Sequence, residues 1–196
     1  MPLGARTVHR ERIQVESSLT ELASLLRSRN ALDEQISRLI QRPATPGHIG
    51  EFVASSVFDI ALHPSAIHKA TDGTFRSGPL TGKSVNIKLY GKQEGILDIR
   101  EDAVPDYYLV LTGPRSSQGS SRGTSRPLTI EAAYLFEGPL LAARILSRGS
   151  KLGAAASVPQ AEWAAAEVWP TSTNRLISLT YAQSSTLALF ADRSGA

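Results

Sequence analysis

Four polar side chains between residues 51 and 88 could converge on one face of a sheet. If Asp72 begins one strand of a hairpin and Asn86 and Lys88 lie on the next, those last two share a face, because alternate residues of a strand do so. Glu51, in the first turns of a preceding predicted helix, could reach that face. The chain has no cysteine, so any metal must be bound by oxygen or imidazole, which favours a hard cation such as magnesium.

Each of these residues also has a purely structural explanation. A strand lysine near an aspartate commonly forms a solvated ion pair, Asp72 followed by Gly73 is typical of a turn, and a glutamate such as Glu51 favours the positive end of its helix. Five acids before the segment DYYLV are expected mostly in a solvated loop, although Glu94 or Asp98 could supply a further carboxylate: Glu94, Asp98, Glu101, Asp102 and Asp106. Three histidines match no common zinc spacing and are expected at the surface: His48, His63 and His68.

Two short motifs resemble nucleotide or hydrolase sites but have the wrong context. In GPLTGKS, three residues separate Gly78 from Gly82, one fewer than a phosphate-binding loop requires, and a strand-like segment follows instead of a helix. We therefore expect no nucleotide cofactor, and Gly78, Pro79 and Gly82 should turn the chain between two strands. In GSSRG, Ser121 lies in a low-complexity stretch and not on the strand-to-helix elbow of a serine hydrolase.

A seven-residue repeat predicts an N-terminal helical arm over residues 1–42. Its two seam positions are occupied by Val15, Leu22, Arg29 and Ile36, and by Ser18, Leu25, Leu32 and Leu39. Pro43 and Pro46 end the helix, because proline cannot continue its hydrogen-bond ladder. The leucine stripe must pack on something, either a second copy in a homodimer or the body of the same chain. Arg29 at the seam disfavours a long, tight coiled coil.

The remaining residues, 43–196, are predicted to form one α/β domain with a mixed central sheet and helices on its faces. Apolar spacing predicts a helix from Gly47 to about Asp59 and another in GPLLAARILSRG. Strands are predicted in SVNIKLY, DYYLVLTG and PLTIEAAYLF, with DYYLVLTG central because it is almost continuously apolar. A small-residue strand at Gly153 to Val158 and helical stretches around Trp163 and Leu187 should follow.

The serine-, glycine- and arginine-rich segment PRSSQGSSRGTSRP predicts a solvent-exposed loop that favours a polyanionic partner. Arg115, Arg122 and Arg126 lie in it without an acid among them, although the net charge of the whole chain is only +3. No apolar run approaches the roughly 18 residues of a membrane span, and the N-terminus is too polar for a secretory signal. We therefore expect a soluble cytoplasmic protein without a membrane partner.

The segments GHIGEFVA, DGTFRSGPLTGK, VNIKLYGK and DYYLVLTGP resemble an uncharacterised bacterial domain family associated with the PD-(D/E)XK nuclease superfamily, over about Pro43 to Gly149. The resemblance implies a restriction-endonuclease-like fold and DNA as the substrate. In that superfamily, a helix carrying a glutamate precedes strands that carry an aspartate and a carboxylate-x-lysine pair.

Carried over residue by residue, Glu51 resembles the helix glutamate, Asp72 the central aspartate and Lys88 the lysine. The resemblance implies a Mg²⁺ or Mn²⁺ ion held by Glu51, Asp72 and Asn86, with Lys88 acting on the attacking water and the developing charge. Thr71 stands where the family has proline. Asn86 stands where a second carboxylate is usual, and an amide binds a cation only through its dipole. The alternative is therefore a catalytically inactive scaffold or interaction module of the same fold.

Overall fold

The first 48 residues and the rest of the chain form separate units, Met1–His48 and Ile49–Ala196, in the computed structural model. The structure describes residues 3–64, 71–115 and 127–192, with side chains from residue 14 onward. His68 and the arginine-rich stretch with Ser121, Arg122 and Arg126 lie outside these ranges. Within the described ranges, no helix is long and apolar enough to cross a membrane.

The N-terminal unit is built on one long helix, α1 (Leu3–Ile40), which confirms the helix predicted from the heptads. It begins earlier than the apolar repeat and ends before Pro43 as predicted. Gln41 adopts a left-handed backbone conformation with φ of 56°, and Ser37 Oγ accepts a hydrogen bond from Ala44 N, so the chain turns sharply there. The seam residues of α1 are solvent-exposed along its length.

The second unit contains eight strands within its described residues, arranged in two sheets. In chain order they are β1 (Ile60–Leu62), β2 (Gly73–Phe75), β3 (Ser84–Tyr90), β4 (Ile96–Ile99), β5 (Tyr107–Thr112), β6 (Ala132–Glu137), β7 (Gly153–Ser157) and β8 (Glu167–Trp169). The main sheet has the order β1-β2-β3-β5-β6-β8, and β4 pairs with β7 in a small second sheet. The expected mixed α/β architecture is confirmed, whereas the second sheet was not predicted.

A parallel pair lies at the centre of the main sheet. β3 and β5 run parallel over six registered residue pairs, from Val85 beside Tyr107 to Tyr90 beside Thr112. The neighbouring pairs β1–β2, β2–β3, β5–β6 and β6–β8 are antiparallel. Residues 108–112 of β5 are all buried, which confirms the central strand that the apolar run predicts.

Four α-helices accompany these strands among the described residues: α2 (Pro46–Phe58), α3 (Gly138–Ser147), α4 (Gln160–Ala166) and α5 (Tyr181–Leu187). All four lie where the sequence predicts helical segments. The apolar side of α2 packs on one face of the main sheet, in a core that includes Val57, Val85, Ile87, Leu109 and Leu187. The opposite face carries a second core, which includes Leu97, Tyr108, Val110, Tyr134 and Trp163. The sheet is therefore covered on both faces.

The segment GPLTGKS forms the turn between β2 and β3. A short 3₁₀ helix, Gly78–Leu80, is followed by Gly82, and both glycines have positive φ angles of 75° and 79°. Gly82 N donates to Phe75 O across the turn at 2.9 Å. A strand and not a helix follows, so this segment lacks the helix N-terminus that a nucleotide-binding loop needs.

Asp106 links the first residues of the parallel strands. Its Oδ2 accepts hydrogen bonds from Ser84 N at 2.9 Å and from Ser84 Oγ at 2.7 Å, while Lys83 Nζ lies 3.5 Å from Oδ1. The Ser84 hydroxyl and amide, with a smaller contribution from Lys83, hold the pKa of this carboxyl below its usual range. The carboxylate therefore contributes to stability in its ionised form.

Replacement of Asp106 by alanine should lower the free energy of unfolding by about 1 kcal/mol at neutral pH, because the hydrogen-bonded carboxylate is partly screened by solvent. Since the folded-state pKa is lowered, this contribution is present above the unfolded pKa of about 4 and is lost as the pH falls through the folded-state value. Urea unfolding at several pH values measures it. Asp102→Ala, which removes an exposed ion pair with Arg100, is the matched control and should cost less.

Candidate functional site

Asp72 lies at the point where β2 separates from β3. The two strands pair only at Gly73 with Val85 and at Thr74 with Ser84. Beyond that register, Asp72 N donates to Val85 O at 2.8 Å, and Ile87 N donates to Asp72 Oδ2 at 2.6 Å. The carboxylate is therefore held against the backbone of β3, beside Asn86.

Asn86 and Lys88 project from the same face of β3. Val85 and Ile87 belong to the core under α2, so the alternate residues point to the opposite side of the sheet. The parallel register sets Asn86 beside Tyr108 and Lys88 beside Val110, and both of those β5 residues belong to the second core. Asn86 and Lys88 therefore share one face of β3, as their two-residue spacing predicts.

The Asn86 side chain is buried without satisfying its carbonyl oxygen. The residue is 8% exposed, and its Oδ1 has no hydrogen-bond partner. Asn174, which is 9% exposed, is the contrasting case, because its amide donates to Leu135 O and Ala166 O and its oxygen accepts from Leu176 N. A buried oxygen without a partner is costly, and a bound cation is one way to satisfy it.

The Lys88 side chain is half-buried and makes no hydrogen bond or ion pair with the described residues. This distinguishes it from Lys83, whose ammonium group lies near Asp106. An ammonium group that is partly removed from water and not neutralised by a neighbour can interact with an anionic substrate. Lys88 is therefore a half-buried cation on the same face of β3 as Asn86.

Glu51 approaches β3 from the other side. It lies on α2, whose apolar residues pack on the core opposite to Asn86 and Lys88. The preceding Gly50 is in close contact with β3, since a Cβ atom at Gly50 would lie 2.7 Å from Leu89 Cβ. The structure thus brings Asp72, Asn86 and Lys88 to one short stretch of β3, with the helix carrying Glu51 on the opposite face.

Of the two acids considered as a further carboxylate, Glu94 and Asp98, Asp98 is hydrogen-bonded to a residue of β3. Its Oδ2 accepts a hydrogen bond from the Tyr90 hydroxyl at 3.3 Å, and its Oδ1 accepts one from Ala155 N at 2.7 Å. Tyr90 follows Lys88 on the same face of β3. Burial raises the pKa of Tyr90, and the negative charge of Asp98 acts in the same direction. Asp106 serves instead in the link to Ser84.

A second polar cluster, which the sequence did not predict, surrounds Glu167 of β8. This carboxylate accepts hydrogen bonds from Arg115 Nη2 at 3.1 Å and from Thr171 N at 3.1 Å, and the residue is 7% exposed. Burial raises the pKa of the neighbouring Tyr134. The signal in the sequence was a lone acid within the apolar run AAAEVW. Arg115 therefore has a structural partner, although its side chain is 60% exposed.

The histidines do not form a metal site within the described parts of the chain. His48 Nδ1 lies 3.0 Å from Pro43 O, and His63 precedes the segment outside the described residues. No group of three histidine, cysteine, aspartate or glutamate side chains in the described ranges could hold a metal ion. The predicted set of Glu51, Asp72 and Asn86 includes only two acids and depends on an amide oxygen as its third ligand.

Comparison with known sequences gives no relative from which a function could be transferred. No protein-family model matches the chain, and no curated protein sequence is significantly similar to it. The geometry around β3 therefore carries the functional interpretation.

Asn86→Leu should leave the free energy of unfolding in metal-free buffer unchanged or slightly raised. Leucine has a similar volume and removes an unsatisfied acceptor without breaking a hydrogen bond to Oδ1. The matched control is Asn174→Leu, which should lose about 2 kcal/mol or more because it leaves the carbonyls of Leu135 and Ala166 without their donor. Urea unfolding of both variants provides the measurement. Equal losses would mean that Asn86 is a structural residue like Asn174.

Proposed function

We propose that the protein is a metal-dependent nuclease, or a nuclease-like DNA-binding protein, of the PD-(D/E)XK type. The observation that carries the proposal is the buried, unsatisfied Asn86 Oδ1, which lies beside Asp72 and on the same face of β3 as Lys88. Seven buried side-chain atoms of the described residues lack a hydrogen-bond partner, and the Asn86 oxygen is distinguished from the others by its position on β3 next to Asp72 and two residues from Lys88.

The residues around β3 fit a hard cation such as Mg²⁺ or Mn²⁺. Asp72 and Asn86 would hold the ion through oxygen atoms, whereas Glu51, the third ligand that the resemblance implies, lies on the helix that packs on the opposite face of β3. A bound ion would polarise the scissile phosphate and lower the pKa of a coordinated water molecule. Asn86 supplies a dipole where a second strand carboxylate would supply a charge, so we expect weak metal binding.

Lys88 would act on the substrate and not on the ion. Its ammonium group has no competing partner among the described residues and lies two positions from Asn86 on one face. From that position it would orient the attacking water and stabilise the negative charge that develops on the phosphate. Asp98, which is linked to the same face through Tyr90, is a further carboxylate for positioning water.

The order of the elements supports a restriction-endonuclease-like fold. A helix that carries Glu51 comes first, Asp72 follows at the start of a strand, and Asn86 and Lys88 lie on the next strand of the same sheet. The sequence resemblance implies this order of residues. The mixed sheet with its antiparallel β1-β2-β3 part and parallel β3–β5 pair is compatible with it.

DNA is the proposed substrate because basic residues accumulate in the segment after β5. Arg115 begins it with a mostly exposed side chain, and Arg122 and Arg126 follow in sequence. Contacts from these arginines to phosphates would be independent of base sequence. The ion pair of Arg115 with Glu167 leaves further donors on the guanidinium for such a contact.

A catalytically inactive scaffold of the same fold is the second candidate. It is favoured by the absence of three convergent acids among the described residues and by asparagine at the third position of the motif. In that case Asp72 would have a structural role, which includes satisfying the amide of Ile87. Metal binding and cleavage separate the two candidates.

Magnesium or manganese titration of the full chain should show saturable binding that Asp72→Ala abolishes, because too few charged oxygens would remain for a hard cation. Lys88→Ala should preserve metal binding and reduce cleavage of DNA by roughly 100- to 1,000-fold. Asn86→Asp or Asn86→Glu should tighten metal binding and raise cleavage. Isothermal titration calorimetry and a plasmid-cleavage assay measure these effects.

Lys92→Ala is the matched control for Lys88→Ala, since Lys92 lies just beyond the end of β3. It should leave both metal binding and cleavage near the wild-type values. Absence of metal binding and of cleavage in the wild type and in both Asn86 variants would contradict the nuclease proposal and favour the scaffold.

Replacement of Arg115, Arg122 and Arg126 by alanine should weaken DNA binding to a similar extent for unrelated sequences. The slope of log affinity against log salt should fall by up to about three units, because up to three phosphate contacts are lost. Fluorescence anisotropy at several salt concentrations measures this slope. Arg144→Ala, in α3, is the single-charge control. An unchanged salt slope would exclude these arginines as phosphate contacts.

A further inference from the structure

The exposed face of α1 is too apolar for a helix that remains in water alone. Eight large apolar residues of this helix are between 36% and 73% exposed: Val15, Leu19, Leu22, Leu25, Leu26, Leu32, Ile36 and Leu39. Six of them occupy the two seam positions of the heptad repeat, and Leu19 and Leu26 flank one side. Soluble monomers rarely expose a continuous apolar stripe of this kind.

We propose that α1 pairs with α1 of a second copy of the chain in an antiparallel two-stranded coiled coil. The available area is appropriate for a second copy. Eight side chains, each about half exposed, offer on the order of 700 Å² on one helix, which is close to the roughly 800 Å² per partner of a standard stable interface. The repeat extends over more than three heptads, which is long enough for such a pair.

Arg29 decides the orientation of the two helices. It occupies a seam position, and its guanidinium lies 3.5 Å from Asp33 one turn further along the same helix. In a parallel pair in register, Arg29 would face Arg29 of the other copy, with two like charges at the centre of an apolar seam. In an antiparallel pair the two seam positions face each other, so Arg29 lies opposite a leucine instead.

In one antiparallel register, every seam residue between 15 and 39 faces a seam residue of the other copy. It sets Val15 opposite Leu39, Leu22 opposite Leu32 and Leu25 opposite Arg29, with Ser18 opposite Ile36 at the remaining level. Each of these residue pairs occurs twice, because the two copies are related by a two-fold axis. The two Leu26 side chains meet beside the axis. This arrangement buries seven of the eight exposed apolar side chains, while Leu19 lies at the flank.

The antiparallel register separates the two Arg29 side chains. They lie four residues, about 6 Å, apart along the axis instead of directly opposite each other, and each keeps its ion pair with Asp33 on its own helix. Arg29 therefore disfavours the parallel coiled coil more than the antiparallel one.

The absence of cysteine from the natural sequence allows a direct test by disulfide formation in the full chain. Leu22 and Leu32 are separated by about 15 Å along one helix. In either orientation, each of them can therefore face only one of these two positions on the other copy. In the antiparallel pair, Leu22→Cys and Leu32→Cys should each fail to cross-link alone, and an equimolar mixture should cross-link efficiently on mild oxidation. In a parallel pair each variant would cross-link with itself.

Arg27→Cys is the control for random collision, since residue 27 lies level with the axis but on the outer side of the helix. It should remain unlinked. Light scattering of the wild type gives the oligomeric state without substitution, and we expect a dimer. Self-linking of either single variant, a monomeric wild type, or a dimer whose mixed variants do not cross-link would each overturn the proposal. A monomer would mean that the stripe packs within its own chain.

Discussion

The parallel pairing of β3 with β5 is the constraint on which the second unit depends. Both strands are covered on two faces, so alternate residues of each must serve two different cores. On β5 every residue from Tyr108 to Thr112 is buried. On β3 the same alternation sends Val85 and Ile87 to one core and turns Asn86 and Lys88 towards the other. The placement of polar groups in the interior therefore follows directly from the pairing.

Much of this architecture could be predicted because its signals are local. The apolar run in DYYLVLTG indicates a strand buried on both faces, and the heptads and prolines define α1. The short strands β1, β4 and β8 have only three or four residues each and no clear alternation, so their existence depends on pairing with distant segments. For the same reason, β7 was expected as a strand while its partner, β4, was not. The Glu167 cluster also arises from a contact between distant parts of the chain.

The candidate site was predictable to a different degree at each residue. The relation of Asn86 to Lys88 follows from the two-residue period of a strand, and the position of Asp72 follows from the hairpin with its glycine-containing turn. The side from which α2 approaches does not follow from periodicity, because a helix with one apolar stripe can pack on either face of a sheet. The unsatisfied oxygen of Asn86 also could not be predicted, since it depends on what surrounds the amide in three dimensions.

The hydrogen bond from Ile87 N to Asp72 Oδ2 connects the backbone of β3 to the chemistry proposed for the site. One carboxylate would be shared between a peptide N–H and a cation, and charge drawn towards the ion weakens its bond to the amide. The solvent exchange rate of this single amide proton would therefore change with occupancy of the site. The Asp72–Ile87 contact would in this way report occupancy of the site, because loss of negative charge at Asp72 loosens the same strand that carries Asn86 and Lys88.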